Sequence, residues 1–214
     1  MSNRSPICYT VNPVNPEASV IRAAVHQLSA GGLLAYPTET LYGLGADPRQ
    51  PAALEHLFRV KGRTAEHSVP LVAGSREQIE AHVGRLSPLG QRLADAFWPG
   101  PLTLVIPAKP TLPSRLFGGR KSVAVRVPGH AVARSLAVEL GYPITATSAN
   151  RSGELAATTA AEVIDELGSE LTIVLDGGVS NGSEPSTIVD VQTSTPLLLR
   201  AGKVPWDRVL QSLS

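Results

Sequence analysis

The sequence predicts an α/β fold, a twisted open sheet of mixed or parallel strands with helices packed on its faces. Two observations carry that prediction. Short apolar runs alternate with amphipathic helical stretches along most of the 214 residues, and such alternation requires crossover connections. Hydrophobic residues form 43% of the chain and charged residues 17%, enough apolar material for one sizeable core and too little charge for a disordered tail.

Asn15-Pro16-Glu17 predicts the first helix, with an Asn cap, Pro in the first turn and an acid near the positive end of the dipole. Ile21, Ala24, Val25 and Leu28 then recur on one face until Gly31-Gly32 stops it. Leu33 to Tyr36 reads as a buried strand that delivers Pro37-Thr38-Glu39-Thr40 at its carboxyl end. Pro51 to Val60 reads as helix and Val69 to Ala73 as strand. Ser75 to His82 reads as helix opened by a Ser75/Gln78 capping box. Ser87-Pro88 opens a helix ending near Trp98, followed by strands at Leu102 to Ile106 and Ser122 to Val127. Ala131 to Leu140 is a helix stopped by Gly141, and Ile144 to Thr147 a strand. A Thr159/Glu162 capping box opens the next helix. Strands at Leu171 to Leu175, Thr187 to Val191 and Leu197 to Leu199 and a helix from Pro205 complete the chain. The loops 109–121 and 177–185, rich in Gly, Pro or Ser, are candidate lids or binding loops.

Nineteen basic against eighteen acidic residues give a net charge of +1, so no global field draws the protein to nucleic acid or an anionic membrane. Cys8 is the only cysteine, which excludes an internal disulfide framework and points to a reducing compartment. No apolar run approaches the roughly 20 residues that span a bilayer, and the expectation is a cytosolic protein. The five histidines, His26, His56, His67, His82 and His130, have no metal-ligand spacing and read as solvent-facing. No Walker lysine loop, G-x-G-x-x-G, H-E-x-x-H or paired cysteine is present.

Five segments concentrate chemistry. Tyr36 to Gly45 places two hydroxyls, a carboxylate and two glycines after a buried strand, suited either to backbone approach to an anion or to a capped turn. Lys61-Gly62-Arg63 sets two cations at a helix end, either complementing its dipole or converging on a phosphate chain. Alternation along Ser122 to Val127 puts Ser122, Ala124 and Arg126 on one face. Arg126 among apolar neighbours needs an anion, from a structural or a substrate carboxylate. Thr145 to Gly153 and Glu184 to Asp190, the latter with Leu198 to Gly202, add small hydrogen-bonding groups and Arg200. Most of these segments end strands or helices on one rim, where open sheets collect ligands.

PTETLYGLG (37–45), KGR (61–63), WPGPLTLV (98–105), SVAVRVP (122–128), TSANRSG (147–153), PSTIVDV (185–191) and LLRAG (198–202) together resemble the YrdC/TsaC family of L-threonylcarbamoyladenylate synthases, in order and spacing, across about 15–205. The resemblance implies a YrdC-like domain with one deep, positively lined cavity. It implies a nucleotidyltransferase that forms L-threonylcarbamoyladenylate from ATP, L-threonine and bicarbonate, releasing pyrophosphate, for modification of tRNA adenosine beside the anticodon. Thr38, Arg126 and Ser186 would contact L-threonine. Lys61, Arg63, Ser122, Ser148, Asn150 and Arg200 would contact ATP, with Lys61 and Arg63 catalytic on the phosphates. Mg²⁺ would arrive with the nucleotide rather than at a fixed protein site. The partners implied are a TsaD-type threonylcarbamoyl transferase with accessory proteins and, weakly, tRNA, with no membrane. The expected organisation is a single domain over residues 1–214, the short form of the family. Two positions depart from the pattern: Thr64 stands where a Pro is usual, with Ala65 to Val69 lengthening that loop, and Ala156 replaces a Ser. An RNA-binding module of the same fold, a carbamoyl-adenylate former and a paralogue with another small substrate remain alternatives.

Overall fold

The computed structural model describes residues 5–62, 64, 67–180, 182 and 184–214. The strands are β1 (Ile7–Thr10), β2 (Leu34–Tyr36), β3 (Gly43–Gly45), β4 (Leu71–Val72), β5 (Leu102–Pro107), β6 (Ser122–Arg126), β7 (Ile144–Thr145), β8 (Thr147–Ser148), β9 (Ile173–Asp176), β10 (Thr187–Asp190) and β11 (Leu197–Arg200). The helices are α1 (Ala18–Ser29), α2 (Pro51–Lys61), α3 (Arg76–His82), α4 (Pro88–Phe97), α5 (Ala131–Leu140), α6 (Ala160–Leu167) and α7 (Trp206–Gln211).

The predicted mixed α/β architecture is present, and its strands divide between two sheets. One has the order β1-β9-β2-β3-β8 and the other β11-β10-β5-β6-β4-β7. Both mix directions: β9 runs parallel to β1 and β2 while β3 is antiparallel to β2, and β5 pairs parallel with β10 but antiparallel with β6. The stretch expected as one strand over Ile144 to Thr147 breaks at Ala146. Its amide donates to Pro70 O, so β7 stays in the second sheet and β8 crosses to the first.

Helix α1 lays Ile21, Ala24, Val25 and Leu28 against Val132, Leu136 and Leu140 of α5, a second core beside the larger one between the sheets. Several punctuation marks act as expected. Gly62 and Gly141 end α2 and α5 in the left-handed conformation, and the Thr159/Glu162 capping box opens α6 with both bonds made.

Others differ for visible reasons. Helix α1 begins at Ala18, because Asn12 Oδ1 accepts the amides of Val14 and Asn15 and holds that stretch as a turn. Ser75 caps α3, but the Gln78 side chain turns away to Gly74 N and Ala137 O, so no box closes. Among the described residues no helix is long and apolar enough to cross a membrane.

Candidate functional site

Residues of both sheets line a cavity of about 650 Å³. Its floor is one face of the six-stranded sheet, supplied by Thr103 and Val105 of β5, Ala124 and Arg126 of β6 and Ile188 of β10. Register sets these side by side: Ile188 lies opposite Thr103 on one flank and Arg200 on the other, and Val105 lies opposite Ala124. The far wall comes from the 38–43 loop, Thr147, Ser148 and the 155–158 loop. Three arginines, Arg120, Arg126 and Arg200, stand in the wall, and no acidic side chain does among the described residues.

Arg126 is buried, and its Nη1 donates to Glu39 Oε1 at 2.9 Å. The anion it required is therefore a structural carboxylate in this structure, while the guanidinium still borders the cavity. Glu39 Oε2 is buried with no hydrogen-bond partner among the described residues. Arg200 donates from Nε and Nη2 to Ser186 O and from Nη2 to Ser186 Oγ. Burial, and then the positive charge of Arg126, push the Arg200 pKa down. Ser186 Oγ in turn meets Thr103 Oγ1 at 2.8 Å. Thr103, Ser186 and Arg200 thus form one connected group in the wall, and Arg126 stands close enough for its charge to act on Arg200.

Thr38 is buried in the wall. Its Oγ1 donates to Leu41 O at 2.7 Å and accepts the amides of Thr40 and Leu41, so the hydroxyl is spent on shaping its own loop. Lys203 Nζ donates to Glu39 O and fastens that loop from the C-terminal segment. The glycines of the same motif make room for a ring. A Cβ on Gly43 would come within 2.9 Å of the Tyr36 ring, and one on Gly45 within 3.0 Å, because β3 pairs directly against Tyr36. The Tyr36 hydroxyl donates to Thr145 O, and burial raises its pKa. Tyr42, in the wall, donates to Gly178 O and is pushed up to about 12, chiefly by burial.

The cations of KGR fare differently. Lys61 is 2% exposed, and its Nζ donates to Ser148 O at 2.7 Å, Asn150 O at 2.5 Å and Asn150 Oδ1 at 2.6 Å. Of these, Ser148 borders the cavity, and neither Lys61 nor Asn150 does. Ser122 starts β6 on the face that carries Arg126 and lies outside the wall itself. Arg63 falls outside the described residues, as do Ala65 and Glu66 of the lengthened loop. Thr64 Oγ1 and His67 Nδ1 approach to 3.2 Å. Ala156 is in the wall, beside Leu155, which is 93% exposed, and Thr158.

Among the described residues no three His, Cys, Asp or Glu side chains gather where they could hold a metal ion. The histidines are not uniformly solvent-facing: His56 Nε2 bonds Glu170, and half-buried His130 caps α5 by accepting Val132 N. Sequence reasoning passed over Thr103 and Arg120. Thr103 is the one hydroxyl in the apolar run of β5, and Arg120 follows two left-handed glycines in a loop already marked as a candidate lid.

Comparison with known proteins gives a consistent picture. The Sua5/YciO/YrdC family model, described as telomere recombination, matches residues 26–202. A threonylcarbamoyl-AMP synthase of Thiobacillus denitrificans is 44% identical over 174 residues, 81% of this chain and 91% of that one. One from Pyrococcus abyssi is 38% identical over 88% of this chain, which spans 56% of that longer protein. Among solved structures, P. abyssi Sua5 complexed with L-threonine superposes with a TM-score of 0.92 at 36% identity, covering 97% of this chain and 61% of that one. Escherichia coli YciO gives 0.87 at 26% identity, covering 95% and 99%.

Proposed function

The chain belongs to the Sua5/YciO/YrdC family, and from that premise we propose that it is a threonylcarbamoyl-AMP synthase, a transferase that uses ATP and L-threonine to make the activated intermediate for threonylcarbamoyl modification of tRNA adenosine. The observation that carries this reading is the connected group in the cavity wall, where Thr103, Ser186 and Arg200 flank a guanidinium already held by Glu39. Such a site fits an amino-acid carboxylate and a hydroxyl, with its polar groups fixed before the ligand arrives.

In this reading L-threonine lies against Arg126 and Ser186, in a wall shaped by the Thr38 turn. Its amine takes up carbon dioxide from bicarbonate and loses a proton to form a carbamate. A carbamate oxygen then attacks the α-phosphorus of ATP, the bond from that phosphorus to the β-phosphate bridging oxygen breaks, and its electron pair leaves with pyrophosphate. Enclosure between two sheets protects the labile carbamate from water. Lys61, Arg63, Ser122, Ser148, Asn150 and Arg200 are assigned to the nucleotide, Arg200 from its place beside Ser186 where the nucleotide meets the amino acid. Lys61 acts on it through Ser148 and Asn150, whose oxygens its ammonium holds. The described wall offers no carboxylate to a divalent ion, so Mg²⁺ would ride on the triphosphate.

The remaining expectations belong to the same proposal: one YrdC-like domain with its core at about 15–205, a cytosolic location, transfer of the product by a TsaD-type transferase with accessory proteins, and weak contact with tRNA at most. Pyrophosphate release from ATP by the purified protein, with and without L-threonine and bicarbonate, tests the reaction. Release that needs both is the expected result. Release that is indifferent to threonine, or absent with it, would overturn the reading.

A further inference from the structure

Of the described cations that line the cavity or stand beside it, one has no side-chain partner among the described residues. Arg126 is matched by Glu39, Arg200 by Ser186, and the three donors of the Lys61 ammonium by three oxygens. The Arg120 guanidinium lines the cavity with no hydrogen bond, ion pair or ring contact among the described residues. An arginine with five unspent donors in a concave wall is a ready anion contact.

Its position says which anion. Arg120 lies in the bend just before β6 and Arg126 ends the strand, so the two residues sit at opposite ends of a five-residue strand that spans roughly 13 Å between its end Cα atoms. The Arg126 end carries the groups suited to an amino acid. The Arg120 end is tied to the loop that follows KGR, since Val69 N donates to Leu116 O at 3.0 Å and Ser68 pairs with Phe117 in an antiparallel bridge. Those bonds fix one side of the Arg120 loop. On the other, Ala108 N donates to Lys121 O, and Gly118 and Gly119, both at positive φ, turn the chain so that Arg120 borders the cavity.

We propose that Arg120 is a further substrate-contacting residue of this site, binding the β- and γ-phosphates of ATP that leave as pyrophosphate. The proposal rests on the adenylate-forming reading above. As the bond to the α-phosphorus breaks, negative charge accumulates on the departing pyrophosphate, and a guanidinium positioned there stabilises it more than it stabilises bound ATP.

The test compares the full-length wild type with Arg120→Ala and Arg120→Lys, at fixed ionic strength, by calorimetric binding of inorganic pyrophosphate, AMP and L-threonine. Kinetic constants for both substrates accompany it. Expected is a loss of roughly tenfold in pyrophosphate affinity for Arg120→Ala, with a parallel rise in KM for ATP and a fall in kcat. AMP and threonine affinities should stay within about twofold, and Arg120→Lys should fall between. Unchanged pyrophosphate affinity would overturn the proposal. So would an equal loss for pyrophosphate, AMP and threonine with no rescue by lysine, which would make Arg120 a prop for its own loop. A wild type that binds pyrophosphate through Arg120 yet releases none from ATP and threonine would support the anion site and overturn the reaction instead.

Discussion

The two ends of the cavity are built on opposite plans. At the Arg126 end, nearly every polar group is already bonded, and Thr38, Thr103, Arg126 and Ser186 are buried: Thr38 within its own turn, Thr103 to Ser186, exposed Arg200 to Ser186, Arg126 to Glu39. Arg120, by contrast, comes from a loop, is itself exposed, and has no side-chain partner among the described residues. A preorganised end suits a small ligand that must be discriminated by a few contacts. A loop-built end suits a flexible, highly charged ligand whose own anions supply the missing partners. The difference teaches that recognition of the amino acid is written into the strands, whereas the phosphate groove is completed by what enters it.

The largest effect should follow from attacking the preorganised end at its charge. Arg126→Ala removes the cavity-facing cation and leaves Glu39 without its ion-pair partner. Because breaking a buried pair from one side leaves an uncompensated charge, the cost should be about 2 to 3 kcal/mol of stability, the lower end reflecting partial exposure of Glu39. Threonine-dependent pyrophosphate release should drop roughly a hundredfold, mostly through KM for threonine. Thermal unfolding and steady-state kinetics check both, and a variant whose threonine KM is unaltered would move the amino acid to another part of the cavity.

Lys61 tests the boundary between the two ends. Lys61→Met keeps the buried stem but takes the ammonium away from Asn150 O and leaves Ser148 O and Asn150 Oδ1 with only Asn150 N and Ser148 Oγ as donors among the described residues, at about 2 kcal/mol of stability. Turnover should fall by more than tenfold, because the Ser148 wall loses its anchor. If stability holds while ATP affinity collapses, Lys61 belongs with Arg120 as a phosphate contact, and the cage around its ammonium opens when nucleotide binds.

These residues also mark how far the sequence could be read. Arg126 was legible because alternation along β6 forces it onto one face with Ala124, and a charge among Val123, Val125 and Val127 demands a partner. Which partner was not legible, since Glu39 lies 87 residues away and only the fold joins them. Helices α5 and α6 were legible from local capping chemistry. Strand β3 was not: Gly-Leu-Gly has no β-branched side chain, and its reason for being glycine is the Tyr36 ring across the pair. The division into two sheets was hidden for the same cause, because nothing local in Ile144 to Ser148 announces that Ala146 bonds to Pro70 instead of continuing a strand. Thr103 looked like one more strand residue until Ser186 was found against it.

Thr103→Val probes that hidden link at a smaller scale. The substitution keeps shape and deletes one hydroxyl, so Ser186 retains only Arg200. About 1 kcal/mol of stability should be lost, and KM for threonine should rise about fivefold while KM for ATP stays put. An equal change in both constants would mean that the two ends are not independent.

The smallest expected effect is a pH dependence behind the same end. Half-buried His130 faces Glu39 and Arg134 and accepts Val132 N at the start of α5. Burial lowers its pKa, Glu39 opposes the change and Arg134 adds to it. The folded state therefore favours the neutral ring, which is also the form able to accept that amide. Its contribution to stability is full above the unfolded value of about 6.5 and is lost as pH falls through the lowered folded value, because the unfolded chain then binds the extra proton. The loss should stay under about 0.5 kcal/mol, given the partial exposure. His130→Asn keeps a capping acceptor and removes the titration, so its unfolding free energy should fall less steeply than the wild type's between pH 7 and pH 5, by no more than this amount. Threonine KM measured over the same range sharpens the comparison. A proton on His130 places a third positive charge near the Arg126–Glu39 pair and should alter threonine binding while leaving the distant Arg120 end unmoved. Parallel drift of the threonine and ATP constants would show instead that the two ends share one electrostatic environment.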